Sequence, residues 1–446
     1  VKHSSLLGHV CELLELIRPL KQPADTVTQE FFRQRRYLGS KDRRFISEAT
    51  FGILRNFTLA RFHAREAFAS LAVSSLSLDE ASRRPIALYS SFAAKIRLDD
   101  AAALLADVES TWRISFPDIS CAEFVGALVR SQLTPAILQN PVKRIATVHS
   151  FPEVIVQEWI ERFGLEETER LCATSNQPAP TVIRVNSLKA TVEECRARLS
   201  AEGIESEPTR LSPDGLTLQK RINIQASRAF KDGWFEIQDE GSQLISLVLD
   251  PKPRETIIDA CAGGGGKTLH LGALMRNHGE LHAIDIDMKR LQHIQPRLRR
   301  AGVSFVQRHR ASDDCVRLLR GKGDGVLVDA PCSGVGTFRR NPDAKLRFDA
   351  AVVERMVEVQ KRILDSSASL VKPGGRLVYS TCTLLRQENE EVVETFLEAH
   401  PEFHTLSAPK ILLAQEIEIE SASDYLVLSP HRANTDGFFA AVFRRD

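Results

Sequence analysis

Long apolar runs are missing from this 446-residue chain. No stretch of about 18 apolar residues occurs, so no transmembrane helix and no membrane partner are expected. Cysteines are few and scattered, eight in all with no CxxC pair, which argues against a disulfide framework and against a zinc site. The opening Val1-Lys2-His3-Ser4-Ser5 has no signal-peptide core. These absences predict a reducing, cytoplasmic setting and no resident metal. An excess of charge is lacking too, since the formal net charge is +1. What is present, 43% apolar and 26% charged residues, is the composition of a globular protein, and the length suits two or three domains.

The near-neutral total averages unlike stretches. Residues 1–150 carry 20 Lys and Arg against 15 Asp and Glu. Within them Arg33, Arg35, Arg36, Lys41, Arg43 and Arg44 cluster around one acid, Asp42, among Phe31, Phe32, Tyr37 and Phe45. Lys289–Arg310 has seven basic residues and no acid. Basic residues beside aromatics suit a phosphate backbone and stacked bases, although a single run is more often a solvated helix face. Two runs point to nucleic acid.

Residues 1–145 read as all-helical, with apolar residues at helical spacing in Leu6–Leu20, Phe45–Phe57 and Ile86–Leu105. Gly39–Asp42 reads as a loop whose Ser40 or Asp42 caps the next helix. Pro141 and Pro152 mark a boundary, and residues 150–237 read as a small α+β module. From residue 238 to 446 strands and helices alternate. Strands are expected at Thr256–Ala260, Leu281–Asp285, Ser304–Gln307, Gly325–Asp329 and Arg376–Ser380, with Pro373-Gly374-Gly375 as a turn before the last. This pattern predicts a doubly wound parallel sheet with crossover helices, closed by a terminal strand pair.

Chemistry in such a sheet sits at the carboxyl ends of the strands. Cys332, after Asp329 and Pro331, and Cys382, after Ser380 and Thr381, both fall there. Two buried structural cysteines are the bland alternative. The turn Cys261-Ala262-Gly263-Gly264-Gly265-Gly266-Lys267-Thr268 follows a strand and opens a helix, so backbone can approach a ligand. It is not a phosphate-binding loop of the Walker type, because Cys261 stands where the first glycine is needed. Asp285, at the end of the next strand, is placed for a ribose diol, which fits a nicotinamide dinucleotide or S-adenosylmethionine. The thiols favour the methyl donor. Carbon 5 of cytosine accepts a methyl only after a thiolate has added to carbon 6. An acid such as Asp329 near ring nitrogen 3 helps, and a second thiol assists collapse of the adduct. Lys267 is a candidate for favouring the thiolate or holding the base.

These motifs, Asp329-Ala-Pro-Cys-Ser-Gly334, Ser380-Thr-Cys-Thr383 and Cys261–Thr268, resemble those of the RNA cytosine-5 methyltransferases of the RsmB/Sun type. Arg184-Val-Asn-Ser-Leu-Lys189, Phe235–Gln243, Arg339–Asp343 and Asp436–Ala440 agree in the same order. Residues around Lys41–Glu48 and Phe51–Asn56 resemble a NusB-like RNA-binding domain. The resemblance implies a Rossmann-fold, S-adenosylmethionine-dependent methyltransferase acting as a monomer on RNA, most similar to enzymes of bacterial small-subunit ribosomal RNA. It implies Cys382 as nucleophile, Cys332 as the thiol that assists release, and Asp329 and Lys267 beside them. Cofactor contacts are implied for Cys261, Ala262, Gly263, Gly264, Gly265, Gly266, Lys267, Asp285 and Asp329. Two departures from the family pattern involve three positions. Gly263 and Gly264 replace Ala and Pro, and His309 stands where an adenine-binding Asp is usual, with Asp313 or Asp314 as substitutes. A catalytically weak RNA-binding assembly factor on the same fold is the alternative these departures leave open.

Overall fold

A computed structural model of the chain describes residues 3–71, 84–97, 101–112, 120–220, 222–421 and 423–446. It divides into two compact units, Val1–Gln177 with Phe338–Phe348, and Pro178–Thr337 with Asp349–Asp446.

The first unit is helical throughout its described residues. Its core gathers one face of several helices: Leu13 and Ile17 from His3–Ile17, Ile46 and Ile53 from Ser40–Arg55, and Phe124 and Leu128 from Cys121–Arg130. The Ser40–Arg55 helix begins one residue earlier than a Ser40 or Asp42 cap allows. Gly39 is its N-cap and donates its N–H to Asp42 Oδ2 at 3.1 Å, so Asp42 works from inside the first turn. The stretch expected as one helix over Ile86–Leu105 is an α-helix, Arg84–Phe92, running into a wider π turn, Ala93–Arg97; residues 98–100 lie outside the described residues. Helices Pro141–His149, Glu153–Phe163 and Leu165–Ser175 complete this unit, so it runs on to Gln177.

The basic run Arg33–Arg44 is largely committed within the unit. Arg33 pairs with Glu30, Arg35 with Glu12, and Arg44 with Glu48, while Arg43 Nε donates to Leu38 O at 2.9 Å. Arg36 and Lys41 keep their charges clear of any carboxylate among the described residues.

The segment Phe338–Phe348 is an intruder in sequence but not in packing. Lys345 is buried, and its ammonium donates to Arg55 O (2.6 Å), Asn176 Oδ1 (2.7 Å) and His149 O (3.2 Å). It also lies 4.4 Å from the ring centre of Phe151. Burial pulls its pKa down to about 7, while the three acceptors favour the charged form. Asp343, also buried, accepts the N–H of Ala24 at 3.1 Å.

The second unit holds two sheets. The smaller has β1 (Thr181–Val185), β2 (Ser206–Pro208), β3 (Gly215–Leu218) and β4 (Phe235–Ile237) in the order β2-β3-β1-β4, all antiparallel. Helix Val192–Ala201 packs on it, opened by Thr191 and Glu194, which exchange side-chain-to-backbone bonds of 3.2 and 2.8 Å.

The larger sheet contains β5 (Thr256–Asp259), β6 (Glu280–Asp285), β7 (Val306–Arg310), β8 (Gly323–Asp329), β9 (Val371–Thr381), β10 (Phe403–Leu406), β11 (Leu426–Leu428) and β12 (Phe438–Arg445). Its order is β10-β12-β9-β8-β5-β6-β7, with β11 on β12. Strands β7, β6, β5, β8 and β9 are parallel, as expected of a Rossmann-like sheet, and β12 is antiparallel to β9, β10 and β11. Helices cover both faces. The central strands are buried on both sides, which is why Val326-Leu327-Val328 and Leu377-Val378-Tyr379 read as unbroken apolar runs. Two expectations shift. The third strand sits two residues later than Ser304–Gln307, and Pro373-Gly374-Gly375 lies inside β9, where Gly374 at φ +75° lets the strand bulge. Among the described residues no helix is long and apolar enough to cross a membrane.

Removing Lys345 takes the ammonium donor from Arg55 O and Asn176 Oδ1, while His149 O keeps the bond from Asn176 Nδ2 at 2.8 Å. Lys345→Ala is therefore expected to destabilise the protein by about 3 kcal/mol in chemical denaturation, against less than about 0.5 kcal/mol for the exposed Lys322→Ala.

Candidate active site

At the carboxyl edge of the parallel sheet the chain leaves β5 through Ala260–Gly265 and enters helix Gly266–Leu274. The turn is held from the next strand: Asp285 Oδ2 accepts the N–H of Gly263 at 2.8 Å, and its Oδ1 accepts that of Asp287 at 2.8 Å. Gly263 has φ +53° and Gly265 φ +81°, and a Cβ on Gly265 would stand 2.9 Å from Ile294. Beside the turn opens a cavity of about 680 Å³. Cys261, Gly263, Asp285, Asp313 and Asp329 contribute to its wall, with Ile284, Val316 and Ile363 as an apolar side.

Not every residue expected at the cofactor reaches this cavity. Ala262 is buried under the turn and donates to Ile284 O at 2.9 Å. Gly264 presents its carbonyl to Arg297, Gly265 packs on Ile294, and Gly266 O accepts from Arg184 at 2.8 Å. His309 is a correction. Because β7 starts at Val306, His309 lies within the strand and its Nε2 is 3.0 Å from Nδ1 of His282, away from the cavity wall. Ser312 and Asp313, at the start of helix Asp313–Leu319, line the wall; Asp314 does not.

The thiols meet one strand over. β8 and β9 pair with Asp329 opposite Ser380, and the ladder continues past the strand ends as Ala330 N–H to Ser380 O (2.8 Å) and Gly336 N–H to Cys382 O (3.0 Å). Gly437 N–H reaches Gly336 O at 2.8 Å, and a Cβ on Gly336 would meet Gly437 O at 2.3 Å, so only glycine permits this approach. Cys332 Sγ and Cys382 Sγ are consequently 3.4 Å apart. The Cys332 thiol is pushed well above the usual thiol range, first by its hydrogen bond with Cys382, then by burial, and further by the charge of Glu388.

Asp329 borders both thiol site and cavity. Lys267 Nζ donates to its Oδ2 at 2.7 Å and Ser380 Oγ to its Oδ1 at 3.1 Å. Lys267 is thus spent on Asp329 rather than on a thiol. Paired with an ammonium, Asp329 is placed to accept hydrogen bonds, not to supply the proton expected of an acid at ring nitrogen 3.

Three residues receive no role from the sequence, Arg184 among them although it opens the motif Arg184–Lys189. Arg184, buried at the end of β1, ties the smaller sheet to the turn through Gly266 O and Gln238. Glu388 and Asn389, buried in the turn after β9, grip the segments that carry the two cysteines. Their only signal was polar residues where a buried run should continue.

The donor set fits S-adenosylmethionine. Asp285 and Asp313 offer acceptors for hydroxyl and amino groups, the apolar wall suits a flat ring, and the glycine turn brings backbone close. Among the described residues no cluster of three or more His, Cys, Asp or Glu side chains could hold a metal ion.

Comparison with known proteins agrees. Residues 246–444 match the family model for the 16S rRNA methyltransferase RsmB/F, and residues 151–225 match the ferredoxin-like domain of RsmF/B-like methyltransferases. A probable ribosomal RNA small subunit methyltransferase B from Bacillus subtilis is 37% identical over 333 residues, covering 73% of this chain and 74% of that one. Its counterpart from Synechocystis is 35% identical, covering 69% and 70%. The crystal structure of PH0851 superposes with a TM-score of 0.77 at 26% identity, over 100% of this chain and 99% of that one.

Asp313→Ala is expected to weaken S-adenosylmethionine binding about tenfold, the worth of one hydrogen bond, and His309→Ala to change it less than about twofold, both read by calorimetry. Equal losses in the two variants would return His309 to the site. On the matched sequence and the fold, the chain belongs to the RsmB/F family of 16S rRNA methyltransferases, S-adenosylmethionine-dependent enzymes of ribosomal RNA.

Proposed function

We propose that this ribosomal RNA methyltransferase acts on carbon 5 of a cytosine in small-subunit ribosomal RNA, through a covalent adduct at Cys382. The observation that carries the reading is the pair of thiols 3.4 Å apart at neighbouring strand ends, next to Asp329 and the cofactor cavity. Either sulfur can be the donor of the bond they share, and that bond, burial and Glu388 together hold the Cys332 proton above the usual thiol range. In this reading Cys382 is the thiol that attacks as thiolate.

S-adenosylmethionine, when bound, supplies an electrophilic methyl group. The protein's share is to make carbon 5 nucleophilic. Cys382 Sγ forms a bond to carbon 6, and the electrons of the 5,6 double bond move to carbon 5 as it takes the methyl. Asp329, steadied by Lys267 and Ser380, accepts from the exocyclic amino group and holds that edge of the ring. The carbon 5 proton then passes to solvent, its bonding pair re-forms the 5,6 double bond, and the bond from carbon 6 to Cys382 Sγ breaks to return the thiolate, with Cys332 assisting this second stage. A target base within a helix must be flipped out to reach the site. Arg36, Lys41 and Tyr37, the last 66% exposed, form the part of the helical unit best suited to RNA backbone and bases. The chain acts as a monomer in this reading.

Incubated with small-subunit ribosomal RNA transcript and labelled S-adenosylmethionine, Cys382→Ala should form no denaturation-stable adduct and lose at least about 10³-fold in label transfer. Cys332→Ala should accumulate the adduct. The reverse pattern would make Cys332 the nucleophile, and label on a nitrogen would overturn the carbon 5 reading.

A further inference from the structure

Glu388 is fully buried, yet no Lys, Arg or His pairs with it among the described residues. Its oxygens meet only neutral donors. Oε1 accepts the N–H of Ser333 at 2.8 Å and Gln360 Nε2 at 2.9 Å, and Oε2 accepts the hydroxyl of Ser333. Gln360 also donates to Pro331 O at 2.9 Å, so both residues flanking Cys332 hang from one carboxylate and its amide partner. A buried carboxylate satisfied this way is costly, and replacing it by an apolar group is often neutral for stability. Its presence calls for a job beyond holding the fold.

Its neighbour in the chain does the matching work on the other thiol. Asn389 Oδ1 accepts Thr381 Oγ1 at 2.6 Å, and Asn389 Nδ2 donates to Thr383 O at 3.1 Å, bracing Cys382 from both sides. One turn, Arg386–Glu388 and the residue after it, therefore controls both cysteine segments. The two grips differ in one respect: a carboxyl group holds the Cys332 side, and an amide holds the Cys382 side.

We propose that Glu388 is a positioning residue that fixes the Cys332 loop and singles out Cys332 as the thiol that does not attack, leaving Cys382 as the nucleophile. The inference rests on the reading of Cys382 as nucleophile given above. Negative charge beside a thiol disfavours its thiolate, and Glu388 is among the causes that hold the Cys332 proton. The other titratable groups facing it are Cys382 and the Tyr379 hydroxyl, which donates to the backbone oxygen of Glu388 at 2.6 Å. Of these groups Glu388 is the one that hydrogen-bonds the residue next to Cys332.

The test measures alkylation of Cys332 by iodoacetamide against pH, mapped by mass spectrometry on the full chain in reducing buffer. A Cys382→Ala background removes the neighbouring sulfur, and Glu388→Gln is added to it. The midpoint for Cys332 is expected to fall by about one pH unit with Glu388→Gln, because a charge is removed at almost constant shape. In the chain with Cys382 present, Glu388→Gln should lower kcat at least about tenfold, with KM for S-adenosylmethionine unchanged. An unmoved midpoint, with adduct still accumulating in Cys332→Ala, overturns the role of Glu388 and leaves the thiol assignment standing. No adduct in Cys332→Ala, or an adduct in Cys382→Ala, overturns the assignment and the proposal with it. Should Glu388→Gln fail to fold, the Cys382→Ala chain alone decides. A Cys332 midpoint at or below the free-thiol value of about 8.5 would show that no charge opposes ionisation, and the proposal would fall.

Discussion

The register of β8 against β9 is the constraint on which the site depends. A parallel ladder leaves no freedom once Asp329 lies opposite Ser380, and a slip of one residue would turn every side chain to the other face. Two backbone bonds prolong that ladder beyond the strands, to Ala330 and Gly336, and a third joins Gly336 to Gly437 at the head of β12. The thiols are thus placed by the main chain rather than by side-chain packing. Gly336 and Gly437 matter because three backbone segments converge there with no room for a Cβ. The same register delivers Asp329 to the cavity wall and its oxygens to Lys267 and Ser380, so the carboxylate and both thiols share one origin.

Around this ladder the second unit keeps an unusual amount of polarity inside. Asp259, Arg184, Glu388 and Asn389 are all buried. Burial pushes the Asp259 carboxyl up to about 7 although Thr268 donates to it at 2.6 Å, and draws Arg184 down to about 10. Hydrophobic burial alone would be served better by apolar side chains in each place. What these groups have in common is their reach: Asp259 to the helix that opens after the glycine turn, Arg184 to the carbonyl of Gly266, and Glu388 and Asn389 to the cysteine segments. A greasy core tolerates small sliding, whereas a satisfied polar contact specifies one position. The buried polarity therefore trades stability for placement of the reacting groups.

Much of this was legible in the chain. Alternating apolar runs and helical stretches reveal a Rossmann-like sheet, because parallel strands buried on both faces have a distinctive composition, and the strand-end positions of Cys332, Cys382, Asp285 and Asp329 follow from it. What periodicity could not reach were boundaries and long-range partners. The edge strand β7 is mostly polar, Val-Gln-Arg-His-Arg, so its start lies two residues beyond the expected one, and the sequence leaves the adenine contact open among His309, Asp313 and Asp314, of which Asp313 lines the cavity. For Lys267 the sequence leaves open whether it favours a thiolate or holds the base, since spacing shows that a cation is near but not which acceptor takes it; the structure gives it to Asp329. Glu388 and Asn389 carry no periodic signal at all, because their partners lie on segments that only the folded sheet brings near.

The segment Phe338–Phe348 shows most plainly why sequence order hides structure. It leaves the second unit soon after Cys332 and supplies Lys345, Asp343 and Phe338 to the interior of the first, returning at Asp349. The first unit is therefore incomplete as a continuous stretch. Residues up to Gln177 bring together the carbonyl of Arg55 and the side-chain oxygen of Asn176, but the ammonium that donates to both comes from Lys345. Buried acceptors left without that donor cost about 1–3 kcal/mol each, a large fraction of a domain's net stability. Folding of the helical unit to its final state must then wait until the chain beyond Phe348 has been made, and a fragment ending near Gln177 would lack part of its own core. The covalent continuity of this segment with the Cys332 loop means that neither unit reaches its native form by a purely local route.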